Sequence, residues 1–251
     1  MAWLISLPLT VAALLFAITA QAAELKVLSG NGAKPAVVEL TRRFERETGH
    51  KVTVEFAVNP EVRRRIEAGE AFDAAVLNPP ILDDLIGKGH IVRGSRSVIG
   101  RIGLGAAVRT GAAKPDISTV DGFKQALRSA GTIAYPGEGA SGIYFVSLLD
   151  RLGMAAEIKP KLRPMPAETT VEVVAAGEVD MVVVVASRMH GVPGIDIIGQ
   201  IPRELQTWIG FTAGVGSAAR QPDVARAYVS YLTQPAAADV LKPIGIEPGV
   251  E

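Results

Sequence analysis

Small polar side chains recur at spaced positions along this chain: Ser29 and Asn31, Asn59, Asn78, Ser141 with Gly142, Thr169 with Thr170, and Ser187 with Arg188. Each closes a short apolar run or opens an amphipathic one, which places it where a strand ends or a helix begins. Hydroxyls, carboxamides and the free N–H groups of a helix start are neutral donors, and the helix start adds a positive dipole end. Together they could hold a small anion. The same residue types are preferred N-caps and turn formers, so each position taken alone reads equally well as a cap. Binding requires that they converge.

Arg188 differs from the rest of the set. It follows the near-continuous apolar run MVVVVAS, so it emerges at the carboxyl end of a buried strand or in a solvent-facing loop. In the first case its guanidinium could clamp a carboxylate bidentately. An organic acid suits this donor set better than a bare oxyanion, with one carboxylate at helix starts and another at Arg188. Lys34 and Arg101 are further cations, whereas Arg63-Arg64-Arg65 reads as a solvated helix face. Glu168, just before Thr169, either complements a helix dipole or supplies a base. The histidines are His50, His90 and His190; the first two adjoin helix-ending glycines, and His190 could edge a cleft or sit in a loop.

Several chemistries are unsupported. The chain has no cysteine, which removes thiolate nucleophiles, Fe–S clusters and Cys-zinc sites. No Ser/His/Asp grouping or metal-ligand cluster is visible, and GEGASG lacks the lysine of a phosphate loop. No cofactor is therefore expected. Lys+Arg and Asp+Glu balance at 26 each and are mixed along the chain, with no basic face for nucleic acid.

The elements that must position these residues alternate. Strands over 24–30, 51–58 and 72–78 are interleaved with helices over 35–49, 61–69 and 79–89. This βαβ rhythm predicts a mainly parallel sheet with right-handed crossovers. Two apolar, Gly-rich, extended segments, 98–109 and 206–216, interrupt it. Between them lies a second series: helix 120–130, strand 131–137, helix 141–153, strand 161–166, helix 169–178 and strands 179–187 and 194–200. Helices over 223–234 and 235–245 close the chain. The expected fold is α/β with two lobes, 24–100 plus 210–251 and 101–209, joined by two crossings. A ligand then belongs in the interlobe crevice, beyond the carboxyl ends of the strands.

Residues 1–23 carry an uncharged apolar run until it ends at Ala20-Gln21-Ala22, an A-x-A-like cleavage site. They read as an export signal, the alternative being an uncleaved anchor.

FERETGHKVTVEFAVNPEVRRRIEAGEAFDAAV, ASGIYFVSLLDRLG and TTVEVVAAGEVDMVVV resemble, in order, three signature segments of the periplasmic molybdate-binding proteins. The resemblance spans the mature chain. It implies a type II periplasmic binding protein, a monomer that hands a small anion to an ABC permease. The chain departs from the family where the oxyanion is held. Gly32 stands at the serine of the first strand–helix junction, Val58-Asn59-Pro60 at the second serine motif, and Val185 at the tyrosine. Losing three hydroxyl donors argues against molybdate or tungstate. Ser29 and Asn31 at the first junction and Asn59 at the second could compensate, so a true molybdate or tungstate binder stays an alternative. A branch of the same family contains aconitate isomerase, which shifts a double bond by moving a proton, so an enzyme on this scaffold is the alternative to a passive binder.

Overall fold

The computed structural model describes residues 22–250, so the export signal expected over 1–23 lies outside the described residues apart from its last two positions. Strand β1 (Glu24–Gly30) runs through a 3-10 turn, Asn31–Ala33, into helix α1 (Lys34–Thr48). β2 (Lys51–Ala57), α2 (Asn59–Glu67), β3 (Ala74–Leu77), α3 (Pro79–Gly87) and β4 (Ser97–Ile102) follow. Prolines in the first turns of α1, α2 and α3 set the helical φ where a missing N–H costs nothing. Ala36, Val37, Leu40, Thr41 and Phe44 form the buried stripe of α1, which stops at left-handed Gly49.

The second series is β5 (Leu104–Arg109), α4 (Val120–Ser129), β6 (Ile133–Pro136), α5 (Ala140–Arg151), α6 (Ala155–Ile158), β7 (Leu162–Met165), α7 (Glu172–Ala175), β8 (Met181–Val185) and β9 (Ile195–Gln200). The chain returns through β10 (Ile209–Val215), α8 (Pro222–Thr233), α9 (Ala238–Leu241) and β11 (Glu247–Pro248).

Two mixed sheets result, ordered β11-β4-β10-β3-β1-β2 and β7-β6-β8-β5-β9. β1 pairs in parallel with β2 and β3, as β6 does with β7 and β8. The strands flanking each crossing, β4, β5, β9 and β10, all pair antiparallel. β3 (AAVL) and β8 (MVVVV) are buried at every residue, which is why they read as unbroken apolar runs.

The chain changes sheets between β4 and β5, at Gly103, and again between β9 and β10. At the first crossing, Leu104 N–H donates to Gln206 Oε1 (2.7 Å) and Gln206 Nε2 donates back to Leu104 O (3.0 Å). A Cβ on residue 103 would lie 2.4 Å from that carboxamide, so glycine lets the two crossings touch. α8 packs on α1 through a T-shaped Phe44–Tyr228 contact (5.2 Å) and a Thr41–Tyr228 hydroxyl pair at 2.6 Å.

The structure corrects the expected elements in three places. The helix expected over 169–178 is only the short α7, because Thr169 N–H and Thr170 Oγ1 both turn back to Pro166 O (3.1 and 2.7 Å). The helix expected over 235–245 breaks into α9 between two 3-10 turns, each opened by a proline-containing pair, Gln234-Pro235 and Lys242-Pro243. The extended segment 98–109 is two strands in different sheets.

Candidate functional site

Five strand ends meet at one cavity with about 490 Å³ of empty space, its mouth included. From the first sheet, β1 delivers Asn31 and Gly32, β2 delivers Val58 and Asn59, and β3 delivers Asn78. From the second, β6 leads into Glu138-Gly139-Ala140-Ser141, and β8 leads into the 3-10 turn carrying Arg188. Helices α1, α2, α3 and α5 thus point their N-terminal ends at the cavity, making it electropositive without requiring a cluster of cations.

The donors are unevenly supplied. Pro79 and Pro80 open α3, so that helix offers its dipole but no N–H in its first two positions. In α2, Glu61 and Val62 N–H already donate to Val58 O (3.0 and 3.1 Å), which leaves Asn59. Asn59 Oδ1 accepts from Asn78 N–H (3.1 Å), fixing the carboxamide with its NH₂ side as the remaining donor. No side chain caps α5, whose start at Gly139 has φ 97°, and the Ser141 hydroxyl has no partner among the described residues. α5 also rides close against β6, since a Cβ on Gly142 would lie 1.8 Å from Pro136 O.

Arg188 is the one cation in the lining. Its side chain is 13% exposed. Nη2 donates to Ala167 O (3.0 Å) and Glu168 O (3.3 Å), and Glu172 lies 3.9 Å away. Its Nε is buried and has no partner. Val58, Pro136, Val184, Val185, Ile209 and Phe211 form the apolar side. A Cβ on residue 32 would sit 3.1 Å from Phe211 Cε1 and 3.9 Å from Val185 Cγ1. Phe211 therefore occupies the space facing the first junction, where a serine side chain would stand.

Two hydrogen bonds join the lobes beside the cavity. Asn31 Nδ2 donates to Glu168 Oε1 (2.7 Å), and Ser187 Oγ donates to Gly32 O (2.5 Å).

Of the residues singled out in the sequence, Asn31, Asn59, Asn78, Ser141 and Arg188 are brought together in the lining. Ser29, Gly142, Thr169, Thr170 and Ser187 lie outside it. Ser29 and Thr170 are fully buried and bond to Gly30 O and Pro166 O, while Ser187 is spent on the interlobe contact. Gly142 packs against β6, and Thr169 is exposed. Lys34 stacks over Phe56 (5.4 Å), and Arg101 pairs with Glu247 (2.9 Å) over Trp208, both outside the lining. His190 lies in a separate groove with Lys242 and Gly245. Sequence reasoning missed Glu138, Ile209 and Phe211. The first sits between two glycines in a strand–helix loop, a usable signal; the other two arrive through the long-range antiparallel placement of β10.

Among the described residues, no group of three or more His, Cys, Asp and Glu side chains is placed to hold a metal ion. Nor is any helix among them long and apolar enough to cross a membrane.

Two mixed α/β sheets, two crossings and a cavity at converging helix starts define a two-lobed type II periplasmic binding protein. The model of the family described as bacterial extracellular solute-binding protein matches residues 25–247, and the chain belongs to that family. It is 34% identical over 230 residues to an aconitate isomerase of Pseudomonas sp, covering 89% of this chain and 87% of that protein. It is 27% identical over 244 residues to the molybdate-binding protein ModA of Azotobacter vinelandii, covering 92% of each. The solved periplasmic molybdate-binding protein of Azotobacter vinelandii superposes with a TM-score of 0.73 at 20% identity, covering 89% of this chain and 98% of that one. The sulfate-binding protein SubI of Mycobacterium tuberculosis H37Rv does so with 0.70 at 13%, covering 90% and 87%.

Proposed function

We propose that this protein captures a small organic anion with at least two carboxylates between lobes 24–100 plus 210–251 and 101–209. It works in the periplasm, as a monomer exported by the signal over 1–23, and presents its ligand to an ABC permease. The observation that carries the reading is Arg188, the one cation in a lining where helix starts also meet. Its guanidinium is a permanently charged, planar donor suited to a ligand carboxylate. The apolar residues of the lining support the same reading. A compact tetrahedral oxyanion asks for donors on every side, whereas Val184, Val185, Ile209 and Phe211 offer only contact to a hydrocarbon skeleton.

A second reading has its own support. The isomerase relative is an enzyme, and Glu138 puts a carboxylate into a cavity otherwise built of donors and apolar groups. In that reading the bound acid is unsaturated and is turned over rather than only delivered.

Calorimetric titration with citrate, cis-aconitate, trans-aconitate, molybdate, tungstate and sulfate tests both. Heat from the tricarboxylates and none from the oxyanions is the expected result. Binding of molybdate or tungstate alone would refute the carboxylate reading.

A further inference from the structure

We infer that Glu138 is the proton-transferring residue of this cavity, carrying a proton between two carbons of a bound unsaturated polycarboxylate. The inference rests on the turnover reading above. Glu138 is the single acidic residue of the lining. In a site that only holds an anion, a carboxylate opposes binding by like-charge repulsion, so its presence there asks for another role. It has no hydrogen-bond or ion-pair partner among the described residues. The other candidate bases are committed or displaced. Glu168 already accepts from Asn31, Glu61 pairs with Arg64, and His190 lines a different groove.

Position supplies the rest. Glu138 precedes Ser141 by three residues, on the loop that forms the start of α5. The helix start that receives one substrate carboxylate therefore carries the base on its own approach. Gly137 and Gly139 flank it, the latter at φ 97°, a conformation that leaves the loop free of side-chain crowding. Glu138 is also solvent-exposed, so a proton it holds can exchange with water.

The step balances without an oxidant, a reductant or a leaving group. The Glu138 carboxylate takes a proton from a methylene carbon that lies between a carboxylate and the C=C bond. The C–H electron pair spreads over the three-carbon unit and its carboxylates, where the Arg188 guanidinium and the N–H groups at the start of α5 meet the added charge. Protonated Glu138 returns a proton to the far carbon, the double bond moves by one position, and the residue is restored.

Trans-aconitate in D2O, followed by proton NMR with the full chain, tests this. The expected result is conversion to the cis isomer with deuterium appearing at the methylene. Glu138→Gln should bind trans-aconitate within threefold of wild type while conversion and deuterium incorporation fall by about 10²–10⁴-fold. His190→Ala should match wild type in both. A Glu138→Gln rate within threefold of wild type would overturn the role of Glu138 and leave turnover standing. Wild-type binding without conversion or deuterium incorporation would overturn both and leave the carboxylate-binding reading intact. Absence of any binding would sink that reading as well.

Discussion

Replacing Arg188 with alanine separates a ligand-binding guanidinium from a structural one. Without ligand, the side chain makes two hydrogen bonds, to Ala167 O and Glu168 O, and leaves Nε unpaired. Both carbonyls belong to residues that are not fully buried, so water can replace the lost donor. The unsatisfied Nε disappears with the substitution. These effects offset, and the unliganded protein should change by no more than about 1 kcal/mol, a few degrees in Tm. The liganded protein has more to lose. A charge-assisted hydrogen bond from the Arg188 guanidinium to a carboxylate contributes about 1.5–3 kcal/mol. Its loss weakens Kd by roughly 10- to 150-fold. Lysine at this position keeps the charge but cannot bond the carbonyls and present a second fixed N–H, so it should recover only part of the affinity. Isothermal titration with tricarboxylates, alongside a thermal melt of the unliganded variants, reads both quantities. Unchanged affinity with a Tm lowered by ten degrees or more would mean that Arg188 is a strut between β8 and the 167–168 turn, and the reasoning would be wrong.

Gln206→Ala removes the acceptor of the Leu104 N–H at the first crossing, while Leu104 O keeps its hydrogen bond from Ile201 N–H (3.1 Å). We expect about 1–3 kcal/mol of destabilisation in urea and faster exchange of the Leu104 amide; an unchanged midpoint would show that the clamp is idle. Gly32→Ser should cost about 1–3 kcal/mol by crowding Phe211, whose ring already lies 3.1 Å from the new Cβ. A gain in stability would contradict that packing. The Arg65 guanidinium and the Lys26 ammonium hold the Glu70 carboxyl at about 2, below its usual 4.5. Because the folded-state value is depressed, the stability it contributes is present above about 4.5 and is lost as the pH falls toward 2. Glu70→Gln should flatten the decline of the urea midpoint over that window, and an identical pH profile would exclude the network as a source of acid sensitivity.

The candidate site was half legible. Asn59, Asn78 and Ser141 could be picked out because each is a polar residue at a strand–helix junction, and the junctions follow from hydrophobic period alone. The same logic also selected Thr169 and Thr170, whose hydrogen bonds to Pro166 O make a turn rather than a ligand contact. Local sequence cannot separate the two outcomes, since a cap and a binding donor are the same chemistry facing different space.

Local patterning determined the alternating strands and helices and the two extended segments, because each depends on neighbours within a few turns of chain. Only the tertiary structure decided what closes the cavity. Phe211 and Ile209 come from a strand more than a hundred residues beyond Asn31, Asn59 and Asn78 in sequence, placed between β3 and β4 by antiparallel pairing. The placement of Arg188 in the lining, with Nη2 held by Ala167 O and Glu168 O, likewise exists only in the packed chain. Burial and long-range pairing are properties of the packed chain, and they bring a row of ordinary caps to one cavity.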